Sequence, residues 1–137
     1  MGKLTRLYDR QSGQDGPLSG AIQSFHIPVP SVTNTSIVHA INFPAGQGFE
    51  ITDVMFTAAA TGATPSMEIG TASSGEQIVA AVTLTTGLGA CTIVDGTIPA
   101  GGDIFVTIIC TASDTVTQGN VTISGYHTAP PSSIPLR

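Results

Sequence analysis

The stretch SIVHAINFPAGQGFEITDVMFTAA, residues 36–59, holds two alternating runs on either side of Pro44-Ala45-Gly46-Gln47-Gly48. In the first run Ile37, His39, Ile41 and Phe43 fall on one face, and Val38 and Ala40 on the other. In the second, Phe49, Ile51 and Met55 fall on one side and Val54 and Phe56 on the other. A period of two is the signature of a half-buried strand. The break between the runs has Gly46 and Gly48 but no third glycine and no helical pattern after it. It therefore reads as a turn into a strand and not as a phosphate-binding loop.

The same texture extends in both directions. AIQSFHIPV (21–29) places Phe25, Ile27 and Val29 on one face. SMEIG (66–70), QIVAAVTLTT (77–86), ACTIVDG (90–96), DIFVTIICTA (103–112) and NVTISGYHT (120–128) follow. These make about eight Val-, Ile- and Thr-rich runs, each bounded by turn residues, and that spacing indicates an all-β sandwich or barrel. The Ala pair in GEQIVAAVTL allows a helix, but Ile78, Val79, Val82 and Thr83 favour a strand. In CTIVDGTIPAGGDIFVTIIC (91–110), Pro99-Ala100-Gly101-Gly102 is a strong turn signal. A hairpin folded about that turn sets Cys91 opposite Cys110 and Ile93 opposite Ile108. Two buried thiols acting as small apolar side chains are then expected, with a disulfide as the alternative.

The chain has 137 residues, enough for one domain with its own core. Only 9% of them are charged, against roughly 25% in an ordinary globular domain. The charge is segregated. Lys3, Arg6 and Arg10 lie in the first ten residues, and the only other base is Arg137. Residues 11–136 contain acids and no base at all. An acidic body argues against nucleic-acid binding, which needs a basic face. No apolar run approaches the ~18 residues of a membrane span. No apolar segment follows the early bases, so synthesis and folding in the cytosol are expected. The sequons at Asn34 and Asn120 then read as chance matches in a Thr-rich chain. Three regions separate by texture: an extended N-terminal arm (1–20), a β-sandwich body (21–127) and a Pro-rich tail (128–137). With no Lys in the body, its sheet edges lack the usual protection, and coverage by neighbouring subunits is expected.

Catalytic chemistry is not indicated. His39 lies in an apolar alternating run and reads as a core or interface histidine. His26 and His127 read as surface or interface residues. There is no G-x-S-x-G elbow, no H-E-x-x-H and no Walker loop. Asp9 and Asp15 miss the calcium-loop spacing. Glu50 and Asp53, three apart in a strand, are expected on opposite faces and so not as an acid/base pair. No metal or other cofactor is expected. With no Trp, and only Tyr8 and Tyr126 as tyrosines, an aromatic sugar platform gets little support.

GFEITDVMFTAAATGATPSMEIGTASSGEQIVAAVTL (48–84), VDGTIPAGGDIFVTI (94–108) and GNVTISGYH (119–127) together resemble the small jelly-roll or β-sandwich proteins of tailed-bacteriophage virions. The resemblance rests on Asp53-Val54 at a strand, the Gly70-Thr71 turn and the turn from Ile98 to Ile104. Within that group the chain looks most like a capsid decoration, or cement, protein. The resemblance implies a single jelly-roll-like β-sandwich and a homotrimer. It implies binding to the major capsid protein on the exterior of the head, after synthesis in the host cytoplasm, with no nucleic acid, membrane or enzymatic activity. The N-terminal arm would dock, Lys3, Arg6 and Arg10 pairing with acids and Leu4, Leu7 and Tyr8 supplying apolar anchors. A solvated N-terminus is the plainer reading of the same residues. A receptor- or glycan-binding module of a tail fibre or baseplate is the alternative function.

Overall fold

In the computed structural model, which describes residues 21–128, the alternating runs form strands and no described residue is helical. In chain order the strands are β1 (Ile22–Val29), β2 (Val32–Thr33), β3 (Ile37–Asn42), β4 (Gly48–Thr57), β5 (Ala60–Gly62), β6 (Ser66–Gly70), β7 (Val79–Thr83), β8 (Gly89–Ala90), β9 (Thr97–Ile98), β10 (Asp103–Ile109), β11 (Thr115–Thr117) and β12 (Gly119–Thr128). One sheet runs β1-β12-β4-β8, with β9 also paired to β4. A second runs β3-β10-β6-β7, and a small third runs β2-β11-β5. All pairings are antiparallel. The chain is thus all-β, as its alternation predicts. The segment QIVAAVTLTT contributes strand β7 and no helix.

The two larger sheets share one core. Ile27, Val29, Phe49, Ile51, Val54, Phe56, Val121 and Ile123 come from the first sheet, and Met67, Ile69, Val79, Ile104, Val106 and Ile108 from the second. All are almost completely buried. The long strands change sheet at nearly every connection: β1 to β3, β3 to β4, β4 to β6, β7 to β8, β8 to β10 and β10 to β12. Only β6 and β7 are successive partners in one sheet.

This crossing corrects the expected hairpin at Pro99–Gly102. The turn forms, with the Gly102 N–H donating to the Pro99 carbonyl at 2.8 Å. Its two arms then go to different sheets, β9 onto β4 and β10 between β3 and β6. Cys91 therefore does not pair with Cys110 across a ladder, and both cysteines are free. ACTIVDG is not a strand beyond Ala90. It runs irregularly beside β4, its Cys91 N–H donating to Val54 O at 2.8 Å and its Gly96 carbonyl accepting from Ile51 N at 2.8 Å.

A second correction concerns β4. Its pairing with β12 slips at Ser124/Gly125, so that Ile51 faces Gly125, Asp53 faces Ser124 and Thr52 is extra. Such a bulge reverses the phase of alternation. Phe49 and Ile51 point inward before it, and Val54 and Phe56 point inward after it. Met55, expected beside Phe49 and Ile51, is turned out to solvent. Glu50 and Asp53, expected on opposite faces, share the outer face. His39 lies in register with the buried Val106, on the inward side of β3, but is itself exposed because β3 is an edge strand. It is not a core residue.

The small sheet closes one pole of the sandwich. Its strands β2, β5 and β11 each lie in a connection between the larger sheets. Asp114, only 6% exposed, ties these connections together. Its Oδ1 accepts from Thr64 N at 3.0 Å, and its Oδ2 from Thr111 N at 2.9 Å and Thr111 Oγ1 at 3.1 Å. Its backbone carbonyl accepts from Asn34 N at 3.2 Å. The N–H groups of Thr111 and Thr64 hold the Asp114 carboxyl below the usual carboxylate range. A lowered carboxylate stabilises the fold fully above its unfolded value of about 3.9, and that contribution is lost as pH falls through the folded value. Thermal melts should show Asp114→Asn less stable than the parent at neutral pH, with the gap narrowing below about pH 4. A gap that stays constant down to acid pH would remove the carboxylate from this role.

Candidate functional site

The opposite pole is where both chain ends join the body. Ile22 pairs with Tyr126 as β1 lies antiparallel to β12, so Ala21 and Thr128, the first and last described residues, sit at the same end. The proposed arm residues Lys3, Leu4, Arg6, Leu7, Tyr8 and Arg10, and the Pro-rich tail, lie outside the described residues. What the fold fixes is that both segments leave from one place.

That place is built on an aromatic cluster. Phe43 stacks on Phe49 with ring centroids 5.2 Å apart and planes at 17°. Phe25 meets Phe49 edge-on at 5.5 Å, and His127 meets it edge-on at 5.2 Å. Phe25 also meets Phe43 at 5.9 Å, as does His127. Edge-to-face and offset contacts of this kind contribute about 0.5–1.5 kcal/mol each beyond area burial. The cluster joins β1, the end of β3, the start of β4 and the end of β12, so it fixes the strand ends from which residues 1–20 and 129–137 extend. His127 was expected at the surface or an interface. It is half-buried, its Nε2 3.2 Å from Gln23 Oε1, and its buried Nδ1 has no partner among the described residues. Nothing in the sequence marks this cluster, because it depends on pairing β1 with β12 across most of the chain.

Glycine makes the cluster possible. At the bulge a Cβ on Gly125 would run into the Glu50 carbonyl oxygen and lie 2.7 Å from Phe49 Cε2. The Phe49 ring therefore lies across the Gly125 backbone. The turns beside the cluster are linked: Phe43 N donates to Gly102 O and Gly101 N to Gln47 O, each at 3.0 Å.

The outer face of the β1-β12-β4 sheet is polar and hydroxyl-rich. Ser24 Oγ and Ser124 Oγ are 2.8 Å apart, His26 Nδ1 and Thr122 Oγ1 are 3.2 Å apart, and Thr122 Oγ1 donates to Asn120 Oδ1 at 3.2 Å. Glu50 Oε1 accepts from Thr97 Oγ1 at 2.9 Å on the same face. These contacts satisfy the groups against one another, the Thr122 hydroxyl giving its proton to Asn120. Burial, and secondarily Asp53, raises the Cys91 thiol; burial, and secondarily Asp114, raises that of Cys110. Both are thereby kept from the reactive thiolate form. No group of three or more His, Cys, Asp and Glu among the described residues is placed to hold a metal ion.

Compared with known proteins, the chain matches no family model, no curated protein and no solved structure.

Gly125→Ala should destabilise the body by about 1–3 kcal/mol or more in chemical denaturation, because the obstructing atom is backbone and cannot rotate away. An unchanged midpoint would mean that the bulge does not constrain Phe49.

Proposed function

We propose that the chain is a structural virion protein that binds the outside of a phage head and stabilises contacts between capsomers. It would act as a homotrimer on the major capsid protein, by mechanical bridging and without catalysis. The observation that carries this reading is the convergence of charge. All four bases lie in residues 1–10 and at position 137, and both flanking segments join the body at one pole. The described body bears only acids: Glu50, Asp53, Glu68, Glu76, Asp95, Asp103 and Asp114. Positive charge is thus confined to two segments that are anchored at one pole of an acidic body, as suits a particle that docks through those segments on an acidic surface.

The strand order supports the same reading. Counting only β1, β3, β4, β6, β7, β8, β10 and β12 as one to eight, the sheets run 1-8-3-6 and 2-7-4-5. That order is compatible with a jelly roll, an architecture common in viral capsid proteins, and supports the reading on that account. One exposed ion pair contributes ~0–1 kcal/mol, so a single arm holds weakly. Three arms on one trimer engage at high effective concentration and bind far more tightly.

The alternative, a receptor- or glycan-binding module of a tail fibre or baseplate, draws on the hydroxyl-rich outer face carrying Ser24, His26, Thr122, Ser124 and Glu50. Glycan binding by the purified protein with no affinity for heads would favour it.

Removal of residues 1–15 should leave the body folded, with an unchanged β-type circular dichroism spectrum, and abolish co-sedimentation with heads. Normal decoration by the truncated chain would refute docking through the arm. Raising salt from low to molar concentration should weaken decoration by the full chain.

A further inference from the structure

The acids of the body are not spread evenly. Residues 21–49, which form β1, β2, β3 and their connections, contain no Asp, Glu, Lys or Arg. The acids sit on β4, β6 and β10 and in the connections around residues 76, 95 and 114. The strands of one side therefore carry no formal charge of their own, and the carboxylate nearest to them is Asp103 of β10, whose Oδ1 accepts from Asn42 Nδ2 at the end of β3 at 2.7 Å.

That side is also where the sandwich is least sealed. β1 and β3 are the edge strands of the two sheets there. Their inward-facing Phe25, Ile37 and Ile41 are only partly buried, and no backbone hydrogen bond joins β1 to β3 among the described residues. At the opposite seam the sheets are tied, with Val94 N donating to Ile78 O at 2.7 Å and Ile78, Val79, Leu84 and Ile98 buried. Edge strands normally carry Lys, Pro or an inward charge that blocks further pairing. β3, with the sequence IVHAIN, has none of these, and β1 has only Pro28 near its far end. Val38 is 49% exposed on β3 and Ile22 is 64% exposed on β1.

We infer that the charge-free β1–β3 side is the surface through which copies of this chain associate with one another. The charge distribution selects the occupant. Lys3, Arg6 and Arg10 of the arm find no carboxylate on β1, β2 or β3 to pair with, and a partner recognised by charge finds none there either. Two copies of an acidic body repel least when they meet through the side whose own strands bear no acid. Edge backbone unpaired among the described residues, Val38, Ile22 and the open seam supply what such a contact buries. The inference takes from the capsid reading only that copies associate. A chain that self-associates but ignores heads keeps this inference and loses that reading.

The test is sedimentation velocity on the full chain, comparing the parent with Val38→Asp and Val94→Asp. Val94 is 65% exposed but lies at the sealed seam, so it serves as a control for added charge. The parent should be oligomeric. Val38→Asp should weaken association by roughly a hundredfold or more, and Val94→Asp should leave it unchanged. A monomeric parent, or equal effects of the two variants, overturns the inference. A second measurement needs no variant. Amide exchange in β1 and β3 should slow as the parent concentration rises through the association range, while exchange in β7 should not. Concentration-independent exchange in β1 and β3 also overturns it.

Discussion

The packing of the body depends on one extra residue in one strand. Without the bulge at Thr52, β4 has to choose between burying Phe49 with Ile51 and burying Val54 with Phe56, because a regular strand sends the two pairs to opposite faces. The slip at Ser124/Gly125 lets one ten-residue strand bury all four. Gly125 is the condition for it, since the Glu50 carbonyl and the Phe49 ring occupy the space a side chain would need. From Phe49 the aromatic cluster reaches β1, β3 and β12. The pole where both chain ends join is therefore organised by the same irregularity that completes the core.

The two poles do different work. One is closed by the small sheet and held by Asp114, whose carboxylate binds Thr64 and Thr111 and whose backbone carbonyl binds Asn34, without a countercharge. The other carries the chain ends and is held by rings. The described residues include no Lys or Arg, so no ion pair with either forms among them. Its few carboxylates are used as acceptors for N–H and O–H groups, as at Asp114, Glu50, Asp95 and Glu76. Positive charge is left to the two ends of the chain.

Much of the fold class was legible in the sequence, and the physical reason is local. Alternation in AIQSFHIPV, SIVHAINF, SMEIG and DIFVTIICTA reports burial on one face of a strand, and each became a strand. Pairing was not legible, because nearly every connection crosses between sheets and partners lie far apart in the chain. The Pro99–Gly102 turn illustrates this: its chemistry predicts a reversal, and the reversal occurs, but nothing local says that its arms enter different sheets. Strict alternation also misplaced Met55 and Asp53, since a bulge shows in spacing only once the partner strand is known. The short strands β2, β5 and β11 have too few residues to carry a period. Of the candidate site, the segregation of charge could be read directly; the convergence of the two ends on one pole required the β1–β12 pairing.

That convergence has a topological consequence. With Ile22 beside Tyr126, the two ends of the body are nearly in contact, and the folded chain is almost a closed loop. A short linker between them closes the circle with little disturbance, and the chain can then be opened elsewhere, for example in the β6–β7 connection. Anything attached directly at either end of the body, at Ala21 or Thr128, is displayed at the same pole.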